Sequence, residues 1–438
     1  MHLPRLLVTA AASLALACGS LTAASLGVAS ATASRGVEIP EFYDPPARVK
    51  GQPGSVLRAK PLPLSPQLPG LFPGKAQRMM YVSRDSSGEK TAVTGAFIKS
   101  TATWSGPGRR PLVAFAVGTM GQGDQCAPSY GLEHPIVVGI AEGQSTTSLN
   151  YEMLAMSQLL SQGYNIALTD YIGLGTTDRV HTYVNRVDEG RAVLDAARAA
   201  RHFGISAKAP VGVWGYSQGG GAAASAAELQ PRYAPDVNLR GAFAGAPPAN
   251  LVDVLEGIDG NIISGVVGFA LNGFMDSYPE LRPIVEENVN EVGAAKLGSL
   301  STACIGDAIA EAGFAQTSSW TKSGESLAAV IARHPAAQRV VDRQRIGNRE
   351  PGAPVLVTSD RGDNTVPYAQ VEQLARNWCD MGATVDFRPV GAPGAGDKAA
   401  LHHIAGMVES LPGALAWMAD RFAGEPAVST CDALEQSS

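Results

Sequence analysis

Apolar and polar positions follow two rhythms along this chain. Val93–Ile98 reads as an alternating strand, and Leu112–Val117 and Asn165–Thr169 are short apolar runs that stop at Gly118 and Asp170, as buried strands do. Val211–Trp214, Gly241–Gly245, Val355–Thr358 and Val385–Arg388 repeat that signature. Between and after them lie segments with apolar residues at helical spacing: Tyr151–Gln162, Arg186–His202, Gln218–Gln230 and Pro412–Phe422. Strands alternating with helices predict an α/β chain whose central sheet is mostly parallel, covered by helices on both faces and joined by right-handed crossovers.

Residues 248–345 break the rhythm. They carry helical patterns, among them Leu281–Val292 and Leu327–His334, but no strand. A helical cap inserted between two sheet strands is expected there, on the side where the strand C-termini emerge. The body is thereby divided into residues 34–247 and 346–438. The proline-crowded stretch from 34 to about 75, with Pro45-Pro46 and Pro61-Leu62-Pro63, is expected as extended coil wrapped on the body. Residues 1–33 have the pattern of a secretory signal peptide: Arg5, the apolar run Leu6–Ala17, then small residues up to Ala31-Thr32-Ala33, with cleavage after Ala31 or Ala33. Ser, Thr and Gly dilute the apolarity after Cys18, which argues against a retained membrane span.

Composition narrows the classes. The chain has 438 residues, 45% of them hydrophobic, with 49 Gly and 29 Pro, which suits a globular protein rich in tight turns. A net charge of −6 with scattered arginines excludes a nucleic-acid stripe and polybasic membrane attachment. Beyond the signal segment four cysteines remain, Cys126, Cys304, Cys379 and Cys431. An even number in an exported protein reads as two disulfides, with three pairings open. No Cys-x-x-Cys or His-Glu-x-x-His spacing suggests zinc.

The chemistry centres on Gly215-Tyr216-Ser217-Gln218-Gly219. A chain of this composition produces the bare Gly-x-Ser-x-Gly pattern roughly 0.4 times by chance, so context carries the reading. A buried strand runs into the motif and a helix of small residues, Gly220-Gly221-Ala222-Ala223-Ala224, runs out, as a strained nucleophile elbow requires. A serine hydroxyl needs a base within hydrogen-bond reach and an acid to orient that base, in the chain order Ser, acid, base. Past the strand Val355–Thr358, Asp363 is the favoured acid, with Asp360 its rival. Beyond the last strand, His403 is the favoured base over His402; His134, His181, His202 and His334 fall in the wrong order and read as surface or packing residues. The oxyanion calls for the backbone N–H of Gln218 and a second donor from the loop Gly118-Thr119-Met120-Gly121, where Met120 is favoured over Thr119 and Gly121. Asp170–Gly175 reads as a structural turn, and Arg361-Gly362-Asp363 as part of the catalytic turn rather than an adhesion motif.

These segments resemble the secretory lipase family, the Candida antarctica lipase A-like enzymes. The matching pieces are Gly118-Thr119 through Cys126-Ala127-Pro128-Ser129, Asp170-Tyr171 through Gly175, the elbow, the long insert, the Asp363 turn and the His403 segment, spanning roughly residues 40 to 425. The resemblance implies an α/β-hydrolase body, a helical cap, no cofactor, and hydrolysis of carboxylic esters including triacylglycerols. It also implies the pairings Cys126 with Cys304 and Cys379 with Cys431. The chain departs from the yeast enzyme's acidic oxyanion loop, with Thr119-Met120-Gly121 there.

The resulting expectation is a secreted serine ester hydrolase acting on lipid or other esters, in transient contact with a lipid interface. The apolar run Ile262–Phe274 would either bind the acyl chain or form the cap's own core. An exported peptidase or acyltransferase on the same triad, or a non-catalytic envelope binding protein on the same shell, are the competing readings.

Overall fold

The computed structural model describes residues 34–436 except 66–69, 142 and 392–396, so the signal segment expected at 1–33 lies outside the described residues. Eleven strands are present among them: β1 (Val56–Leu62), β2 (Gly74–Arg84), β3 (Lys90–Ser100), β4 (Leu112–Ala116), β5 (Ile136–Ala141), β6 (Gln144–Leu149), β7 (Asn165–Thr169), β8 (Val211–Tyr216), β9 (Leu239–Gly245), β10 (Val355–Asp360) and β11 (Val385–Val390). Nine build one sheet in the order β1-β2-β3-β7-β4-β8-β9-β10-β11, and β5 and β6 form a separate hairpin. From β7 to β11 neighbours run parallel, while β1, β2 and β3 add an antiparallel edge. The fold is of the α/β-hydrolase class, a large, mostly parallel sheet flanked by helices.

The all-apolar runs explain the middle of the sheet. β4, β7 and β8 are buried along their whole length, which a strand covered by helices on both faces must be. Small residues let the covering helices approach closely. A Cβ at Gly212 would meet Met418 and Phe422, and one at Gly241 would meet Trp417, all three on the last long helix, Leu401–Ala423.

Several elements differ from the sequence expectation. The proline-rich arm contains β1, because an edge strand leaves one row of N–H groups facing solvent and so accepts Pro61. β2 extends the sheet at Gly74–Arg84, where no strand was read, and the β5–β6 hairpin was not foreseen either. Leu281–Val292 is two helices, Arg282–Asn288 and Glu291–Leu300, because the Asn290 side chain accepts from Gly293 N–H and starts a new helix. The last long helix begins at Leu401 rather than Pro412. Asp397 caps that early start, its carboxylate accepting from the N–H groups of Ala399, Leu401 and His402.

The helices between β9 and β10, from Leu251–Ile258 to Pro335–Arg343, pack around apolar centres of their own, one on Phe269, Leu300 and Trp320 and another on Phe274, Leu281 and Val340. They are tied to the loop after β4. Ile305 N–H donates to Met120 O, Gln122 N–H donates to Ala303 O, and Cys126 is disulfide-bonded to Cys304. Gly121 lies at φ 147°, and a Cβ there would run into Cys304 Cα and Ala303 O, a conformation and proximity that exclude a side chain. The second disulfide, Cys379–Cys431, pins the C-terminal helix to Tyr368–Asp380.

The two disulfides span 178 and 52 residues. Replacing Cys126 and Cys304 together by serine is expected to cost about 1 kcal/mol more than replacing Cys379 and Cys431, from the loop-length dependence of chain entropy. Guanidinium melts of the two double variants check this, and an equal loss in both would count against it.

Candidate active site

Ser217 is the hinge between β8 and the helix Gln218–Tyr233. It sits at φ 58°, ψ −124°, a costly conformation for a residue with a Cβ. Flanking contacts hold it there: Ser217 N–H donates to Gly245 O at 2.9 Å, and the helix starts with no intervening loop. The glycines of the motif are steric necessities. A Cβ on Gly215 would overlap the Gly219 carbonyl, and one on Gly219 the Ala116 carbonyl. Gln218 N–H, at the helix N-terminus, has no protein acceptor among the described residues, so it is free to meet a developing negative charge.

The turn after β10 and the helix Leu401–Ala423 bring two more groups to the serine. Ser217 Oγ lies 2.9 Å from His403 Nε2, and His403 Nδ1 lies 2.7 Å from Asp363 Oδ2. The other Asp363 oxygen accepts from Thr365 N–H and Val366 N–H, so the buried carboxylate is oriented at both ends. With Nδ1–H donating to the carboxylate, Nε2 is left as an acceptor for the serine proton. Tyr216 Oη donates to His403 O at 2.8 Å, linking the residue before the serine to the backbone of the histidine. Burial of Asp363 also keeps the Arg361-Gly362-Asp363 tripeptide from presenting its carboxylate outward.

The two rival residues form a pair of their own. His402 Nδ1 lies 2.9 Å from Asp360 Oδ1, beside the His403–Asp363 pair. Asp360 ends β10 and its carboxylate also accepts from Gly362 N–H.

Among the oxyanion-loop residues, Gly118 N–H is already taken by Glu152 Oε1 at 2.8 Å. Thr119 N–H and Met120 N–H have no acceptor among the described residues. Thr119 lines the cavity at Ser217, whereas Met120 is buried and not among the lining residues. The geometry therefore brings Thr119, rather than the favoured Met120, to the serine side of the loop. Its hydroxyl is held by Tyr183 Oη at 2.8 Å.

Behind Gln218 lies a buried network that was not read from sequence. Gln218 Nε2 donates to Glu189 Oε1 at 2.8 Å and approaches His181 Nε2 at 3.0 Å. Burial lowers the His181 pKa to about 4 and keeps the ring neutral; with Nδ1–H donating to Ile172 O, Nε2 accepts from the amide. Burial lifts Glu189 to about 8, opposed by its bonds from Gln218 and from Val184 N–H. A signal for Glu189 existed: it shares a helical face with Val193, Ala196 and Ala197, and a carboxylate on an apolar stripe needs an internal partner.

The serine opens into an apolar cavity of about 140 Å³. Leu281, Ile284 and Val340 of the helical segment are among the residues that line it. The run Ile262–Phe274 divides by face: Ile263, Val266, Val267, Ala270, Leu271 and Phe274 line the cavity, while Phe269 packs on Leu300 and Tyr183. No group of three or more His, Cys, Asp or Glu side chains among the described residues is arranged to hold a metal ion.

Comparison with known proteins places this geometry. The model of the secretory lipase family matches residues 140–430. Lipase 1 of Candida albicans is 30% identical over 320 residues, 70% of this chain and 64% of that protein. Lipase 4 of the same organism is 28% identical over 416 residues, covering 91% and 84%. A Mycobacterium tuberculosis protein described as a probable inactive lipase is 28% identical over 395 residues, covering 88% and 82%. Among solved structures, closed Candida antarctica lipase A superposes with a TM-score of 0.74 at 20% identity, over 89% of this chain and 87% of that one. A rice cell wall degrading esterase from Xanthomonas oryzae gives 0.70 at 18%, over 85% and 100%.

Glu189 makes stability depend on pH. Between its unfolded value of 4.5 and its folded value of about 8, the native protein keeps a proton that the unfolded chain releases, so stability falls as pH rises through that window. Glu189→Gln is expected to flatten this decline and to melt above the parent at pH 8.5, with a smaller difference at pH 4.5. Melting curves at the two pH values test it; parallel pH dependence in both proteins would reject it.

Proposed function

The chain belongs to the secretory lipase family of serine ester hydrolases, and from that premise we propose that it cleaves lipid carboxylic esters through a Ser217–His403–Asp363 triad. The observation that carries the reading is the unbroken line Asp363–His403–Ser217 at the end of an apolar cavity. One relative is described as a probable inactive lipase, so the weight of the reading falls on these three residues rather than on family membership.

Ser217 Oγ attacks the ester carbonyl as its proton passes to His403 Nε2, and Asp363 stabilises the imidazolium. The carbonyl oxygen, now negative, is met by Gln218 N–H and by a second N–H from the Gly118–Met120 loop, where Thr119 is the better placed donor. His403 returns the proton to the departing alcohol, leaving an acyl-Ser217 ester. Water, deprotonated by His403, then releases the acid. Residues 248–345 act as a cap whose apolar side chains receive the acyl chain; the almost wholly aliphatic lining favours an acyl group over a peptide. Two disulfides suit an oxidising compartment outside the cytosol, in keeping with export directed by residues 1–33.

Ser217→Ala is expected to lower ester turnover by about 10⁶-fold with p-nitrophenyl esters, and near-normal turnover would sink the assignment. Val340→Trp, which fills part of the cavity wall, should shift the optimum toward shorter acyl chains. A series of p-nitrophenyl esters from four to sixteen carbons measures this, an unchanged profile placing the acyl chain elsewhere.

A further inference from the structure

Tyr151 and Glu152, the turn that leads into the helix Met153–Ser161, reach back to the loop after β4. Glu152 Oε1 accepts from Gly118 N–H at 2.8 Å, and Tyr151 Oη donates to Thr119 O at 3.1 Å. Glu152 is buried at 4% exposure with no cation within salt-bridge distance, and Gly118 N–H is its side chain's one hydrogen-bond donor among the described residues. A carboxyl kept in such surroundings at an energetic penalty calls for a purpose beyond packing.

We propose that Tyr151 and Glu152 are positioning residues that fix the second oxyanion donor. The inference rests on the reading of Ser217 as nucleophile. The N–H groups of Thr119, Met120 and Gly121 have no acceptor among the described residues, and the two bonds bracket the first two of them. The Glu152 bond fixes the peptide that precedes Gly118. The Tyr151 bond fixes the peptide joining Thr119 to Met120, and because C=O and N–H point oppositely across a planar trans peptide, it also sets the direction of Met120 N–H. Thr119 N–H sits in the single peptide between these anchored planes, and its side chain is held by Tyr183. Gly118 is part of the same device, since a Cβ there would run into Tyr151 Oη and crowd Glu152 Oε1. On the other side of the oxyanion, Glu189 fixes the side chain of Gln218 in a similar manner. A donor used in the transition state must be aimed before the reaction, because reorganising it during the reaction raises the barrier. Burial lifts Glu152 to about 7, and both its neutral and its ionised forms keep an oxygen able to accept from Gly118.

The test uses the full-length protein with a soluble ester. Loss of an oxyanion donor lowers kcat by about 10²–10³-fold, so Glu152→Met, which only releases the donor's anchor, is expected to lower kcat about 30-fold with KM within about twofold. The Ki of an alkylboronic acid, which becomes tetrahedral and anionic when Ser217 adds to boron, should rise by a similar factor, a change that a merely structural role would not produce. Glu152→Gln keeps an acceptor for Gly118 N–H and should recover most of the loss. Tyr151→Phe removes only a hydroxyl and provides a milder variant, expected to lower kcat about fivefold with KM unchanged, should Glu152→Met fail to fold. The proposal is overturned if Glu152→Met or Tyr151→Phe keeps the parent kcat, if boronate Ki stays constant while kcat falls, or if Glu152→Gln is as impaired as Glu152→Met. Ser217→Ala in parallel separates the two readings: if it retains turnover, the nucleophile assignment fails whatever Glu152 does.

Discussion

Everything near the candidate site depends on one strained residue. Ser217 is held at positive φ because β8 on one side and the helix Gln218–Tyr233 on the other leave no room for a looser turn. The same crowding starts the helix at Gln218, immediately after the serine, with that N–H left without an acceptor among the described residues. It also brings the helix against the end of β4, where Gly219 passes the Ala116 carbonyl, so the loop that follows β4 must begin beside the serine. The positions of Ser217, of Gln218 N–H and of the loop after β4 are thus consequences of a single close contact between one helix and two adjacent strands.

The surroundings serve to keep that contact rigid. The β4 loop is fastened by Tyr151 and Glu152 within the body and by Ala303, Ile305 and the Cys126–Cys304 bond to the helical segment. Because the same segment supplies most of the cavity wall, the loop lies where the reacting carbonyl and the acyl chain would meet. The charge arrangement is unusual in its economy. Glu152 and Glu189 lie buried with no ion pair among the described residues, Glu152 Oε1 accepting from Gly118 N–H and Glu189 Oε1 from the Gln218 side chain and Val184 N–H, while His181 is held neutral so that it can accept from Gln218. Rigid polar groups in a dry site act on developing charge far more strongly than they would in water.

The pairing of His403 with Asp363 and of His402 with Asp360 shows where reading a sequence runs out. Asp360 ends β10 and Asp363 lies three residues further on, and both histidines share the first turn of one helix, so composition and order leave two candidates for each role. Placement of the helix's first turn over the turn after β10 assigns both couples at once. The histidine on the buried side of that turn meets Ser217, while its neighbour, about 100° around the helix, remains partly exposed. That helix begins eleven residues before Pro412, at Leu401, because Asp397 takes up the N–H groups of its first turn through side-chain geometry.

By itself, the sequence determined the α/β alternation, the inner strands, the strand-to-helix turn at Ser217, the order along the chain of the serine, aspartate and histidine that meet there, and the helical segment that interrupts the strands. These are local properties, written in the spacing of apolar residues and in glycines that admit one close approach. Only the tertiary structure decided the antiparallel edge of β1 and β2, the partner of each histidine, the position of Thr119 rather than Met120 at the cavity, and the hydrogen bonds of Tyr151, Glu152, His181 and Glu189. Each of those rests on a contact between residues far apart in the chain, whose distance and orientation are set by how helices and strands pack, and no local pattern encodes that geometry.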